Sequence, residues 1–517
     1  MYQFSSRLKS FSFALMVLGI LGIGYGFWSA PKTDEDVEAI LKEQEAHHGG
    51  AHHDTHTEAT HSDASHEDHG NAATHDSHEA STHKVESADT VSHEVAHVAV
   101  DSAAHSAHDS TVVAIAPVVT NSKSDIYVSK FHKEIVDHEA EHKEHVAHVK
   151  HQLQNKPWSA LYVACIFFML IAVGALAFYA IQWVAQAGWS PILFRVMEGI
   201  TAYLLPGSII FFILLVAAGM HWGHNHLFVW MDADVINPES VKFDKLIFLK
   251  KGWLSVGRFL ATAAIILVVW NWVRFKFRQN SIAQDTATDN APYKKNFKLA
   301  AFFLVFFIVS ESIMSWDWIM SVDPHWFSTL FGWYVFASFF VSGITVIAMV
   351  TLYLKSRGYL EHVNTSHIHD LAKFMFGISV FWTYLWFSQF MLIWYSNIPE
   401  EVTYFVTRIE QYNLPFFGMV AMNFIFPFLI LINTDFKRIT WILVMAGVVI
   451  LLGHYVDFFN MIMPATVGDR WFIGIGEIGS LLFFLGLFIL IVFTALTKAP
   501  LLPKRNPFIE ESKHFHY

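Results

Sequence analysis

Apolar residues in this chain fall in long unbroken runs, and polar residues collect between them. Ten runs reach the roughly 18 residues that a helix needs to cross hydrocarbon. They cover residues 10–29, 158–186, 191–219, 252–273, 299–320, 331–354, 371–396, 414–433, 438–460 and 472–497. The runs are continuous and do not alternate, which argues against a membrane β-barrel. The pattern predicts an all-α integral membrane protein with about ten transmembrane helices.

Arg7 and Lys9 precede the first run, as basic residues precede an export signal. A cut after Ala30 would put Trp28 and Pro31 where cleavage needs small residues. Residues 1–29 are therefore expected to stay as a transmembrane anchor.

Between the first and second runs lies a polar insertion, residues 30–157, with 21 of the 31 His. Residues 30–130 include AHHGGAHHDTHTEATHSDASHEDHG and are dominated by Ala, Ser, Thr, Asp, Glu and His. Such a His-rich low-complexity stretch has too little apolar surface for a core, and disorder is expected in it. Residues 131–157 space Glu and Lys three to four apart and predict a charged helix leading into the membrane. Residues 158–497 follow as a nine-helix membrane domain and 498–517 as a tail. Clustered His invites Zn, Cu or Ni. A specific site needs ligands at fixed spacing, and none repeats here, so a solvated, weakly buffering linker is the expectation.

Composition agrees with the pattern. The chain has 517 residues, 54% of them hydrophobic and only 15% charged. A soluble surface would need about twice that charged share. Most of the net charge of −11 comes from the insertion. A single Cys, Cys165, sits inside an apolar run. One thiol makes no internal disulfide, iron–sulfur site or CxxCH haem attachment. Any redox centre served by this chain lies in another subunit or in a non-covalent cofactor.

Lys and Arg near the span ends fall mostly on one side. Arg7, Lys9, Arg274, Lys276, Arg278, Lys355, Arg357, Lys437, Arg438 and Lys504 are among them. By the positive-inside rule that side is the cytoplasm, with both termini inside and the insertion periplasmic. The loop 220–251 runs against the trend, with Lys242, Lys245, Lys250 and Lys251.

Charged side chains at membrane depth cost about 2.5–3.5 kcal/mol each on insertion scales, so each calls for an explanation. Arg195 and Glu198 are three apart and can pair on one helix face. Arg258 stays charged and needs a carboxylate or room to reach the surface. Glu311 falls near mid-membrane and Asp317 one to two turns beyond it. Asp323, Pro324 and His325 end that helix, among belt residues Trp316, Trp318, Trp326 and Trp333. His454 and Asp457 share a face, as a proton relay or an ordinary hydrogen-bonded pair. Glu477 is read at similar depth, within GIGEIG. Without a preceding strand that GxGxxG match signals close helix packing, not a nucleotide loop. Glu198, Glu311, Asp317, His454, Asp457 and Glu477 are the proton-path candidates, and Arg195 and Arg258 the structural charges. Linked by waters and hydroxyls, such groups would form a route for protons.

DWIMSVDPHWFSTLFGWY (Asp317–Tyr334) together with SQFMLIWYSNIPEE (Ser388–Glu401) resembles a known family. The resemblance is to the second quinone-binding membrane subunit of alternative complex III, a bacterial quinol:cytochrome c oxidoreductase. That family belongs to the NrfD-like group of polysulfide-reductase membrane subunits, and the style here is that of the Bacteroidetes branch. The resemblance covers the first span and about residues 150–517. It implies ten helices with two central four-helix bundles, in the bacterial inner membrane. It implies partners: a multihaem cytochrome c, an iron–sulfur subunit, a sister ten-helix NrfD-like subunit, a monohaem cytochrome c and a terminal oxidase. Haem c and iron–sulfur clusters would then sit in those partners. This subunit would bind no redox centre of its own, contact quinone and carry a proton path. Membrane lipids are the other expected partner; nucleic acid is not.

Three other readings remain open at this stage. A divalent-metal transporter would need ligands on two facing helices, and His454 with Asp457 supplies one half. A haem b protein would need two His deep in facing spans. A purely architectural subunit would use the same polar groups to satisfy one another.

Overall fold

The computed structural model describes residues 2–48 and 123–516. Most of the His-rich insertion, and with it the metal-binding reading, lies outside the described residues. Two compact units are present. One comprises Met1–Leu41 and His142–Tyr517; the other, Lys42–Glu141, is described over 42–48 and 123–141, where it is helical.

Every regular element among the described residues is helical. In chain order they are α1 (Ser6–Ser29), α2 (Asp34–His48), α3 (Lys123–Val184), α4 (Pro191–Gly219), α5 (Val256–Gln284) and α6 (Ala291–Val322). There follow α7 (Phe331–Ser356), α8 (Thr365–Ser396), α9 (Pro399–Glu410), α10 (Asn413–Leu431), α11 (Thr440–Val467) and α12 (Ile475–Leu496). Ten of these are long and apolar enough to cross a membrane, all but α2 and α9. The chain is a multi-pass all-α membrane protein. Ten crossings put the loops on two faces. The face with residues 285–290, 357–364 and 497–516 is called the basic face here.

The spans form two four-helix bundles with a flanking pair. In the first bundle, Tyr162 of α3 rests on Phe211 of α4, and Tyr179 of α3 on Phe277 of α5. The Tyr162 hydroxyl donates to the Trp318 carbonyl of α6 at 2.7 Å. The second bundle is a ring of α7, α8, α10 and α11, each packed on the next. The bundles meet at a crossing of α3 and α7, the two most enclosed spans, 94% and 89% buried against 22% for α1. Gly174 and Gly343 make that crossing close. A Cβ on Gly343 would stand 2.7 Å from the backbone nitrogen of Ala175. Helices without Cβ atoms at the contact gain backbone approach and dispersion, which drives association in lipid. α1 and α12 pair through Gly22 and Gly479 in the same way.

Two short amphipathic helices complete the unit. α2 was not anticipated, because its surroundings read as low complexity. Thr33 and Asp36 form a reciprocal cap, with Asp36 Oδ2 accepting from Thr33 N (2.9 Å) and Thr33 Oγ1 from Asp36 N (3.2 Å). Val37 and Leu41 then pack on Val146, Val149 and Leu153 of α3. α9, opened by Pro399, buries Tyr404, Phe405 and Arg408.

Two spans contain a wide π turn: α6 at Ser315–Ile319 and α10 at Ala421–Ile425. Such a turn adds a residue, re-aims the side chains beyond it and recurs at functional sites. Here the two turns bring Asp317 and Asn423 into the protein interior.

Candidate functional site: buried polar clusters

The second bundle holds a polar cluster to which all four of its helices contribute. His454 and Asp457, on α11, are both fully buried. Asp457 accepts from the Tyr334 hydroxyl, from Ser338 Oγ at 2.8 Å and from Trp382 Nε1 at 2.8 Å. Burying a carboxylate is costly unless donors replace its water, and three do so here. Ser338 has one hydroxyl proton, given to Asp457, so its oxygen accepts from His454 Nδ1 at 2.9 Å. That places a proton on Nδ1. Nε2 has no partner among the described residues. Asn423, from the α10 π turn, lies 3.4 Å from Nδ1, and the Trp382 ring meets the imidazole edge-on.

From Asp457 the polar environment continues away from the basic face. Tyr334 lines a cavity of about 10 Å³ with Gln389, Arg408 and Asn460. That is roughly the space of one water. Gln389 Nε2 and Asn460 Oδ1 have no protein partner among the described residues. Arg408 donates to the carbonyls of Tyr404 (2.8 Å) and Asn460 (3.0 Å) and stacks 3.3 Å from the Tyr404 ring. Arg408 falls between the runs 371–396 and 414–433, where hydropathy alone does not single it out. Its signal was Tyr404, Phe405 and Arg408 on one face of a helix that follows Ile398–Pro399.

A second cluster lies near the basic face. Glu198 of α4 accepts from Tyr179 at 2.8 Å, from Arg195 at 3.1 Å and from Arg278 of α5. Arg195 also donates to Asp285 at 2.6 Å. The sequence-level Arg195–Glu198 pair is present, enlarged into a network of two carboxylates and two guanidinium groups.

Arg258 finds its carboxylate in Asp317. The contact is bidentate, 2.8 Å on both arms, and Trp253 Nε1 donates to Asp317 as well. Arg258 also stacks on Trp253, 4.2 Å from its ring. Glu311 is buried, and among the described residues its side-chain hydrogen bonds come from its own helix, from Ser315 (3.1 Å) and Ser312 (3.3 Å).

Glu477 requires a correction. It was read at the depth of His454 and Asp457. The α12 helix starts only at Ile475, after an extended Gly474, so Glu477 stands in the first turn. It caps that turn, accepting from Gly474 N at 2.9 Å, with Lys156 Nζ 3.8 Å away. A carboxylate at a helix N-terminus is stabilised by the free N–H groups and the dipole, which accounts for it without a proton role.

The structure therefore brings together His454 with Asp457, Arg195 with Glu198, and Arg258 with Asp317. Among the described residues no hydrogen bond joins Glu198, Glu311, Asp317 and Asp457 to one another. Among them, too, no three His, Cys, Asp or Glu side chains converge as metal ligands would. These features define a multi-pass helical membrane protein with separate buried polar clusters. No family model matches the sequence, and no curated protein matches it either.

Proposed function

We propose that this chain is a membrane subunit of a respiratory quinol:electron-acceptor oxidoreductase, and that the Asp457 cluster passes protons within it. The single observation that carries the proton role is His454 Nε2, a ring nitrogen without a partner among the described residues, beside a fully buried carboxylate. A neutral imidazole with one free nitrogen can accept a proton there and release the other toward Ser338 and Asp457. The water-sized cavity beyond Tyr334 supports the next step. The respiratory assignment rests on the likeness of Asp317–Tyr334 and Ser388–Glu401 to the second quinone-binding subunit of alternative complex III. On this reading the redox centres belong to cytochrome c and iron–sulfur partners, a quinone contact lies in this chain, and both termini face the bacterial cytoplasm.

A second reading, an architectural subunit of such a complex, is favoured by the separation of the carboxylates. Each has its own donors, as structural charges do. Affinity purification of the tagged chain from its native membrane separates the alternatives. Co-purified haem and quinol-oxidising activity are expected. Their absence overturns the respiratory reading. Intact proton movement in the Asp457→Asn complex leaves only the architectural one.

A further inference from the structure

A groove of about 680 Å³ opens between α4, α5 and α12 near the basic face, apart from the Asp457 cluster. Its walls are apolar: Leu205, Ile209, Phe275 and Ile282 line it and are exposed side chains on spans that face lipid. Three cations, Arg274, Arg278 and Lys498, line it as well, against one carboxylate, Glu198.

The charges do not cancel within the protein. Glu198 is already held by Arg195, Arg278 and Tyr179. Arg274 makes no hydrogen bond or ion pair among the described residues, and its Nε is buried without a partner. Arg274 lies ten residues before the end of α5, within the span. A guanidinium stays charged, and at that depth it is costly when the nearby carboxylate, Glu198, is already shared with Arg195 and Arg278. Lys498, just past α12, lines the same opening with no carboxylate partner of its own among the described residues. Cationic charge flanked by hydrocarbon-compatible walls suits an anionic lipid headgroup above its acyl chains. Basic pockets between spans on such a face are suited to anionic headgroups.

We infer that this groove binds one anionic phospholipid, its phosphate between Arg274 and Lys498 and an acyl chain along Leu205, Ile209 and Phe275. The inference does not depend on the respiratory reading. A zwitterionic lipid would bring its own ammonium to a site already rich in cations, so the groove discriminates by headgroup charge.

The test uses the full chain reconstituted from equimolar phosphatidylglycerol and phosphatidylethanolamine, then released into detergent for native mass spectrometry. Wild-type protein is expected to retain phosphatidylglycerol preferentially. R274Q/K498Q is expected to lose that preference by roughly 25-fold, since each surface cation contributes about a fivefold factor. Equal retention of the two lipids by the wild type overturns the proposal and needs no variant. So does an unchanged preference in a folded double variant. If inorganic phosphate raises the melting temperature of delipidated protein as far as phosphatidylglycerol does, the site is for a soluble anion and the lipid assignment fails.

Discussion

His454 and Asp457 stand one helical turn apart on α11 and share a single hydroxyl, that of Ser338. The shared hydroxyl makes the pair directional, because its one proton goes to Asp457 and its lone pair faces His454. Tyr334 and Trp382 hold the other side of the carboxylate. Asp457→Asn keeps the shape but sets an amide among three donors. Proton movement coupled to turnover is expected to fall by about a hundredfold, the low side of what a positioned proton-transfer group contributes. The cost in stability is expected to be about 1–3 kcal/mol, from one donor left unmatched. Proton uptake by reconstituted vesicles, alongside a thermal melt, measures both. A stability loss with no change in proton movement would assign the cluster to structure alone.

Arg258 and Asp317 are 59 residues apart in sequence and joined by two parallel hydrogen bonds. Asp317 is almost wholly buried, and the Arg258 side chain is 24% exposed. Losing one partner strands the other charge. Arg258→Gln or Asp317→Asn alone is expected to cost about 3 kcal/mol, at the low end for a buried pair because Arg258 reaches solvent. R258Q/D317N together should cost less than the sum of the singles. Thermal unfolding of the four proteins in detergent closes the cycle. Strict additivity would show the bridge to be energetically silent.

Asp244, in the loop between α4 and α5, carries a pH dependence of defined sign. Its Oδ1 caps the short helix Lys245–Leu249, and its Oδ2 lies 2.5 Å from His325 Nε2. Partial burial works to raise its pKa, but the backbone N–H of Ile247, the His325 ring and the N–H of Leu246 together hold it below the usual carboxylate range. A carboxyl held low stabilises the native loop above its unfolded pKa and loses that contribution as pH falls through the folded value. Protection of residues 244–250 from hydrogen exchange is therefore expected to persist at neutral pH and to fail below about pH 4. Asp244→Asn should remove that acid transition. An identical transition in the variant would place its origin elsewhere.

Legibility in the sequence followed distance along the chain. The spans were readable because a crossing helix must be apolar over its whole length, and Arg195–Glu198 and His454–Asp457 were readable because residues three apart share a helix face. The partners of those pairs were not. Trp382, whose indole reaches Asp457, sits beside Thr383 and Tyr384, which are more polar and do not. Thr383 bonds its own helix, at Ser379, and Tyr384 is 65% exposed. Direction around a helix depends on its neighbours, and hydropathy does not report it. Arg258 was known to need a carboxylate, but Asp317 was one of several within reach. α2 was legible and overlooked: Thr33-x-x-Asp36 followed by Val37, Ile40 and Leu41 is a cap and an apolar stripe. Its acidic, His-rich surroundings hid it.

Two glycine substitutions, one at the crossing of α3 and α7 and one on α10, should act with opposite sign. At Gly343 a Cβ would meet backbone atoms of Gly174 and Ala175 at 2.7–3.1 Å, and backbone on a buried helix cannot turn aside. The two bundles would have to separate locally, losing dispersion along the whole contact. Gly343→Ala is expected to cost about 1–3 kcal/mol, as overpacking in a filled interior does. Gly418, on α10, has nothing within 4 Å of its would-be Cβ and lies within regular helix. Gly418→Ala removes the entropic penalty of glycine in a helix and should gain up to about 1 kcal/mol. Melting temperatures of the two variants in one detergent, read against the wild type, should therefore move in opposite directions. A neutral Gly343→Ala would mean that α3 and α7 do not approach as closely as this architecture requires, and the join between the two bundles would need to be redrawn.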